Sequence, residues 1–194
     1  MARSKEFDED AVLLKAMRLF WEQGYEKTSM MDLVSQMGVH KRSMYDTYGD
    51  KHSLYIKALK RYNEMIEKSV RSLVNGACSA EEAIRLLLEM AVNQDKNELP
   101  KGCLMVNTAV EMATHDPESK LWVTQNFTSS EQLIRELIEA GQQSGELDKS
   151  LDAEMLSYYF NNAYTGLLVM SKTTDDKEKL NKIIETTMSI IKKK

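Results

Sequence analysis

The stretch TSMMDLVSQMGVHKRSMYDTYGDK, residues 28–51, decides the reading of this chain. It divides into two short helical segments around Gly38, a residue suited to a tight turn. Ser29, with Asp32 three residues on, forms a capping-box pattern at the start of the first segment, whose Leu33, Val34 and Met37 face inward. The second segment, Lys41–Tyr48, carries apolar anchors four residues apart at Met44 and Tyr48, which leaves Lys41, Arg42 and Tyr45 on the outside. A helix clamped on one face, with cations in its first turn on the other, is the layout of a DNA-reading helix-turn-helix.

The candidate DNA contacts follow from that geometry. Lys41, Arg42 and Ser43 open the recognition segment, where Lys41 and Arg42 can reach guanine O6 and N7 or phosphate. Tyr45 and Thr47 are placed for phosphate contacts, as are the hydroxyls of Thr28 and Ser29 and the cation of Lys51. The same residues also fit solvated charges on a small bundle, and Arg42 and Asp46 are spaced to pair with each other. Charge distribution favours the first reading. Residues 1–62 hold 11 Lys and Arg against 9 Asp and Glu, a net of +2, whereas the rest of the chain is at −6. From Gly38 to Tyr62 the ratio is 6 basic to 2 acidic. Positive potential is thus concentrated where phosphates would lie.

Working outward, the whole chain reads as helical. Its 194 residues are 42% apolar and 29% charged, with 2 prolines and 8 glycines placed between periodic segments. Nine helices are expected: Asp8–Gln23, one from Thr28 or Ser29, Lys41–Tyr48, Lys51 to about Val74, one opened by Ser79 and ending near Asp95, Gly102 to about Thr114, one from Pro117 to Ala140, one from Asp152 to Ser171, and Asp175–Ile191. Asp50 and Asp152 are expected caps, Asp116-Pro117 is a start signal, and Lys192, Lys193 and Lys194 suit a helix C-terminus. The expected division is a DNA-binding head over residues 1–50 and an effector-binding and dimerisation body over 51–194. No run approaches the roughly 20 apolar residues of a membrane span. The first ten residues lack a secretory h-region, and the two cysteines are too few for a disulfide framework, so a reducing cytoplasm is the default.

In the body, the segment GCLMVNTAVEMAT is apolar almost all round and should be buried. Its exceptions, Cys103, Asn107, Glu111 and His115, recur every four residues. Glu111 and His115 lack a third metal ligand, so neither a metal nor another cofactor is expected. Cys103, Asn107 and Glu111 are candidates to line an effector cavity, together with Trp122 and Tyr159; Asn107 and Glu111 equally fit polar groups that hold the helix to its neighbours. A thiol near a helix N-terminus beside Lys101 meets the condition for a lowered pKa, so an oxidant- or electrophile-sensing Cys103 is an alternative. Leu156, Phe160, Leu167, Ile184 and Met188 supply apolar faces that divide between the internal core and a partner subunit, because a reader of palindromic half-sites must be two-fold symmetric.

The run from Ala16 to Leu54 resembles the N-terminal domain of the tetracycline-repressor (TetR/AcrR) family of bacterial regulators. The resemblance is carried by Leu19-Phe20, Gly24-Tyr25, Thr28-Ser29, Asp32-Leu33, Gly38-Val39, and by Met44-Tyr45 with Tyr48, Lys51 and Leu54. It implies nine or so helices, a homodimer formed mainly through the last two, double-stranded operator DNA as partner and a small-molecule effector held in the body. His40, Arg42, Asp46 and Thr47 depart from the family pattern, which leaves the operator sequence open. Gly102-Cys103-Leu104 with Val106-Asn107 resembles a subset of the family in which some members sense through a cysteine. The function expected is therefore a ligand-responsive regulator, most simply a repressor. A helical adaptor or a thiol-dependent enzyme using Cys103 are alternatives of another class.

Overall fold

The computed structural model describes residues 7–94 and 99–191, which are all helix and connection. Among them nine helices occur: α1 Glu9–Gln23, α2 Met30–Met37, α3 Lys41–Tyr48, α4 Lys51–Gly76, α5 Ala80–Val92, α6 Leu104–Glu111, α7 Pro117–Ser144, α8 Ala153–Thr173 and α9 Lys177–Met188. The chain packs as two compact units, one of residues 1–65 and 104–123, the other of 66–103 and 124–194.

Local chemistry sets most helix starts. Asp8 caps α1 by accepting from the amides of Asp10 and Ala11. Ser29 and Asp32 form a reciprocal capping box at α2, each side chain accepting from the other's amide. Asp50 accepts from Ser53 N at 2.7 Å to open α4, and Asp152 and Asp176 do the same for α8 and α9. At α5 Ser79 Oγ accepts from Glu82 N, and the Glu82 carboxylate accepts from Cys78 N, one residue before the cap. The sixth helix is shorter than the sequence suggests, starting at Leu104 and ending at Glu111 rather than Thr114. Lys192, Lys193 and Lys194, expected at a helix C-terminus, lie outside the described residues.

The first unit has a continuous core of Val12, Ala16, Met17, Phe20 and Trp21 from α1, Leu33 and Met37 from α2, Met44 and Tyr48 from α3, and Leu54, Tyr55, Ala58 and Leu59 from α4. Tyr55 centres it, edge-on to Phe20 at 4.9 Å and tilted against Tyr25 at 4.8 Å. Burial of each large side chain contributes about 1.5–3 kcal/mol, and this core holds helices that are too short to persist alone.

The α6–α7 corner is tied to that core by polar contacts. Thr108 Oγ1 donates to Leu104 O, which leaves the Tyr55 hydroxyl, 2.8 Å away, to donate to Thr108. Asn107 Nδ2 donates to Trp21 O. Both Glu111 oxygens accept from backbone amides of the α1–α2 turn, Tyr25 N at 2.9 Å and Glu26 N at 2.8 Å. Gly24 precedes them at φ 84°, and a Cβ there would stand 2.7 Å from Glu111 Oε2, so both conformation and space require glycine. Asp116 accepts from Ser119 N at the start of α7, and His52 Nε2 lies 3.0 Å from the same carboxylate oxygen. Burial acts to raise the Asp116 pKa, but the hydrogen bonds from Ser119 and His52 outweigh it and hold the group down at about 2.

In the second unit α5, α8 and α9 pack against one another. Ile84, Leu87 and Leu88 of α5 are buried, as are Leu156, Phe160, Leu167 and Leu168 of α8 and Leu180, Ile184 and Met188 of α9. Arg85 forms a two-pronged ion pair with Glu185 across α5 and α9. Glu146 caps α5 from the α7–α8 connection, accepting from Ala80 N and Glu81 N.

Two stability measurements follow. Glu111→Ala strips two amides of a charged acceptor and should cost about 2 kcal/mol in thermal or denaturant unfolding. Because the folded pKa of Asp116 is depressed, its contribution is present above the ordinary aspartate pKa and is lost as pH falls through about 2. Unfolding followed from pH 5 down to 2 should therefore lose stability more steeply in the native chain than in Asp116→Asn.

Candidate nucleic-acid interface

The recognition helix α3 is eight residues long, and its orientation is set from within. Met44 is fully buried, and Tyr48 is nearly so, its hydroxyl donating to Glu9 O at 2.8 Å. Burial, then the neighbouring Glu9, Asp10 and Asp8, push the Tyr48 pKa up to about 12, so it remains a neutral donor at working pH. At the far end Lys57 Nζ donates to Thr47 O at 3.2 Å and lies over the Tyr48 ring, placing a cation on the negative end of α3. With that face fixed, Lys41, Arg42 and Tyr45 stand exposed, and Ser43 and Thr47 are half-buried beside them. His40 precedes the helix without a side-chain capping bond, leaving the first-turn amides to solvent or to a ligand.

The structure redistributes the other candidate contacts. Ser29 is exposed at the tip of α2. Thr28 is fully buried and its hydroxyl donates to Gly24 O at 2.6 Å, so it serves the α1–α2 turn and is withdrawn from the phosphate set. Lys51 is half-buried with its ammonium 4.1 Å from the centre of the Tyr25 ring, a cation–π contact that ties the start of α4 to the α1–α2 turn. Met31, which no sequence signal singles out, is 82% exposed in the first turn of α2. Its helical periodicity does not mark it as a surface residue, since three methionines stand nearby at positions 30, 37 and 44.

The expected effector-lining residues fall in both units, Asn107, Glu111 and Trp122 in the first and Cys103 and Tyr159 in the second. Asn107 and Glu111 spend their polar groups on the backbone of α1 and the turn after it, as described above. Trp122 is half-buried on α7. Cys103 is buried immediately before α6, whereas Cys78 is exposed. Tyr164 is raised in pKa by burial first and by Cys103 second. Tyr159 is 42% exposed, edge-on to Phe160, and lines with Lys179, Lys182, Ile183 and Thr186 an open groove of about 600 Å³ on α8 and α9.

Leu156, Phe160, Leu167, Ile184 and Met188, expected to divide between the internal core and a partner subunit, are all buried within the single chain. The exposed apolar residues of α8 are Met155, Tyr158, Tyr159 and Val169. Both sets have helical spacing, and only the packing of α5 decides which one is internal.

Two family models cover most of this chain. That of the bacterial regulatory proteins of the tetR family matches residues 12–58, and that of the tetracyclin repressor-like C-terminal domain matches residues 80–187. The chain belongs to the TetR family. It is 33% identical over 193 residues to the HTH-type transcriptional regulator YezE of Bacillus subtilis (strain 168), covering 98% of this chain and 100% of that one. It is 28% identical over 190 residues to the HTH-type transcriptional repressor ComR of Escherichia coli (strain K12), covering 97% and 90%. A cysteine-substituted form of the TetR family regulator CifR, solved with a 26-base-pair operator DNA, superposes with a TM-score of 0.85 at 30% identity over 98% of this chain and 100% of that one. The TetR-family chain described here is thus an all-α transcriptional regulator, with a helix-turn-helix DNA-binding head and a helical C-terminal body.

Proposed function

We propose that this regulator is a repressor that binds a palindromic operator as a homodimer and leaves it when a small molecule binds the body. The observation that carries this is the outward set Lys41, Arg42, Ser43, Tyr45 and Thr47 on a helix pinned by Met44 and Tyr48, with Ser29 at the tip of α2. Operator-bound CifR and the repressor ComR, similar along nearly the whole chain, support the same reading. Residues 1–50 act as the reading head and residues 51–194 as the effector-binding and dimerisation body. Two recognition helices about 34–36 Å apart enter successive major grooves. An effector that binds better to a form with a different separation lowers operator affinity by that difference. A regulator that binds operator DNA works in the cytoplasm; no helix among the described residues is long and apolar enough to cross a membrane.

The dimer face of this proposal is the exposed stripe Met155, Tyr158, Tyr159 and Val169 of α8, with half-buried Ile183 of α9 and exposed Ile190 just beyond that helix. A version in which Cys103 is the sensor is weakened by its burial, since thiolate chemistry needs an accessible sulfur.

Selection of bound duplexes from a random pool should return a palindrome with half-sites one helical turn apart. Tyr45→Ala should weaken binding to it by roughly tenfold or more; unchanged affinity defeats the assignment of α3. In sedimentation velocity the double variant Met155→Glu, Val169→Glu should run as a folded monomer. A dimer that persists would place the interface elsewhere.

A further inference from the structure

Asp46 is out of place by every structural criterion. It lies in the last turn of an eight-residue helix, where a carboxylate opposes the helix dipole. It caps nothing, unlike Asp50, the only other acid between Gly38 and Tyr62, whose carboxylate is spent on Ser53 N. It also puts negative charge on the side of the head that meets a polyanion. Among the described residues its ion-pair partner is Arg42, one turn earlier: Asp46 Oδ2 lies 3.8 Å from Arg42 Nε, with the two side chains 93% and 72% exposed, arginine first. An exposed pair at that spacing, with the cation on the N-terminal side, returns little stability.

The geometry of the pair has a chemical consequence. The carboxylate stands on the Nε side of the guanidinium, at 3.8 Å a charge contact longer than a hydrogen bond, and leaves the Nη1–Nη2 edge available to a ligand. That edge carries two parallel donors and matches the O6 and N7 acceptors that guanine shows in the major groove. As a phosphate ligand the same pair is poor, because the carboxylate cancels the arginine charge and is itself repelled. As a base reader it is good, because its near-neutral pair gains little from backbone contact and much from a matched base edge.

We propose that Arg42 reads one guanine in each half-site and that Asp46 is the positioning residue that turns its guanidinium end-on to that base. This rests on the DNA-binding reading of α3 and names what one part of that surface recognises. In the complex, exclusion of water shortens and strengthens the pair. Against a non-cognate site, the carboxylate stands beside an arginine with no matched acceptors and is left facing phosphate, so it penalises the wrong sequence.

The test uses the full chain and the duplex recovered by selection, with binding followed by fluorescence anisotropy at fixed salt. Replacing each guanine in turn by 7-deazaguanine removes N7 and preserves pairing. One position per half-site should lose roughly ten- to a hundredfold in affinity with the native chain, and Arg42→Ala should abolish that sensitivity. Asp46→Asn should reduce the preference for guanine over adenine at the same position by roughly tenfold. It should also tighten binding to unrelated duplex, an effect that a merely structural residue does not produce. Both side chains are exposed, so the variants should melt with the native chain. The proposal is overturned if 7-deazaguanine sensitivity survives in Arg42→Ala. It is equally overturned if Arg42→Ala weakens all duplexes alike with a salt slope smaller by about one, the mark of a phosphate contact. It is overturned too if Asp46→Asn tightens all duplexes equally and leaves the preference intact. Failure of the native chain to recover any common sequence would remove the DNA-binding reading itself, a result distinct from these three.

Discussion

An eight-residue helix does not hold its shape in water, because the cost of its first turn is not repaid over so short a run. The recognition helix exists because Met44 and Tyr48 are buried, and the same burial decides which of its residues meet solvent. Reach, charge and specificity on the outer face are therefore properties of the inner one. Tyr48 adds a hydrogen bond to the start of α1, and Lys57 holds the Thr47 carbonyl, so α3 is fixed at both ends.

The polar stripe of α6 answers a different demand. A helix packed among apolar neighbours accepts Asn107, Thr108 and Glu111 only if each finds a partner, since an unpaired buried polar group costs on the order of 1–3 kcal/mol. Each does, against α1, the turn after it, or α4. These bonds join the end of α6 to the turn that starts α2, and so connect a segment more than 80 residues away in sequence to the helix-turn-helix.

Much of the head was legible because its signals are local. Ser29 with Asp32 announces a helix start, Gly38 at φ 71° supplies a left-handed turn that few other residues tolerate, and Met44 and Tyr48 mark an inner face by spacing alone. The bounds of α3 followed from the same rules. What could not be read was which neighbour occupies a given face. Thr28 and Lys51 are polar and sit beside the reading surface, yet one is buried under the α1–α2 turn and the other rests on Tyr25. On α8 two apolar stripes run side by side, and periodicity reports that both exist without saying that Leu156 and Phe160 are buried while Tyr158 and Val169 are left bare. Contacts across 80 or 100 residues, such as Glu111 with Tyr25 or Arg85 with Glu185, leave no trace in a local pattern.

The reach of Glu111 to the Tyr25 and Glu26 amides also bears on how such proteins can be recombined. A chimera that transplants residues 1–50 onto a foreign body carries Gly24 and its two bare amides with it but leaves their carboxylate behind. The graft is whole only if the recipient brings an acid at the end of its own sixth helix, at matching depth. The natural seam for exchanging DNA-reading modules in this protein is consequently not a cut in the sequence but a discontinuous piece that includes that helix end.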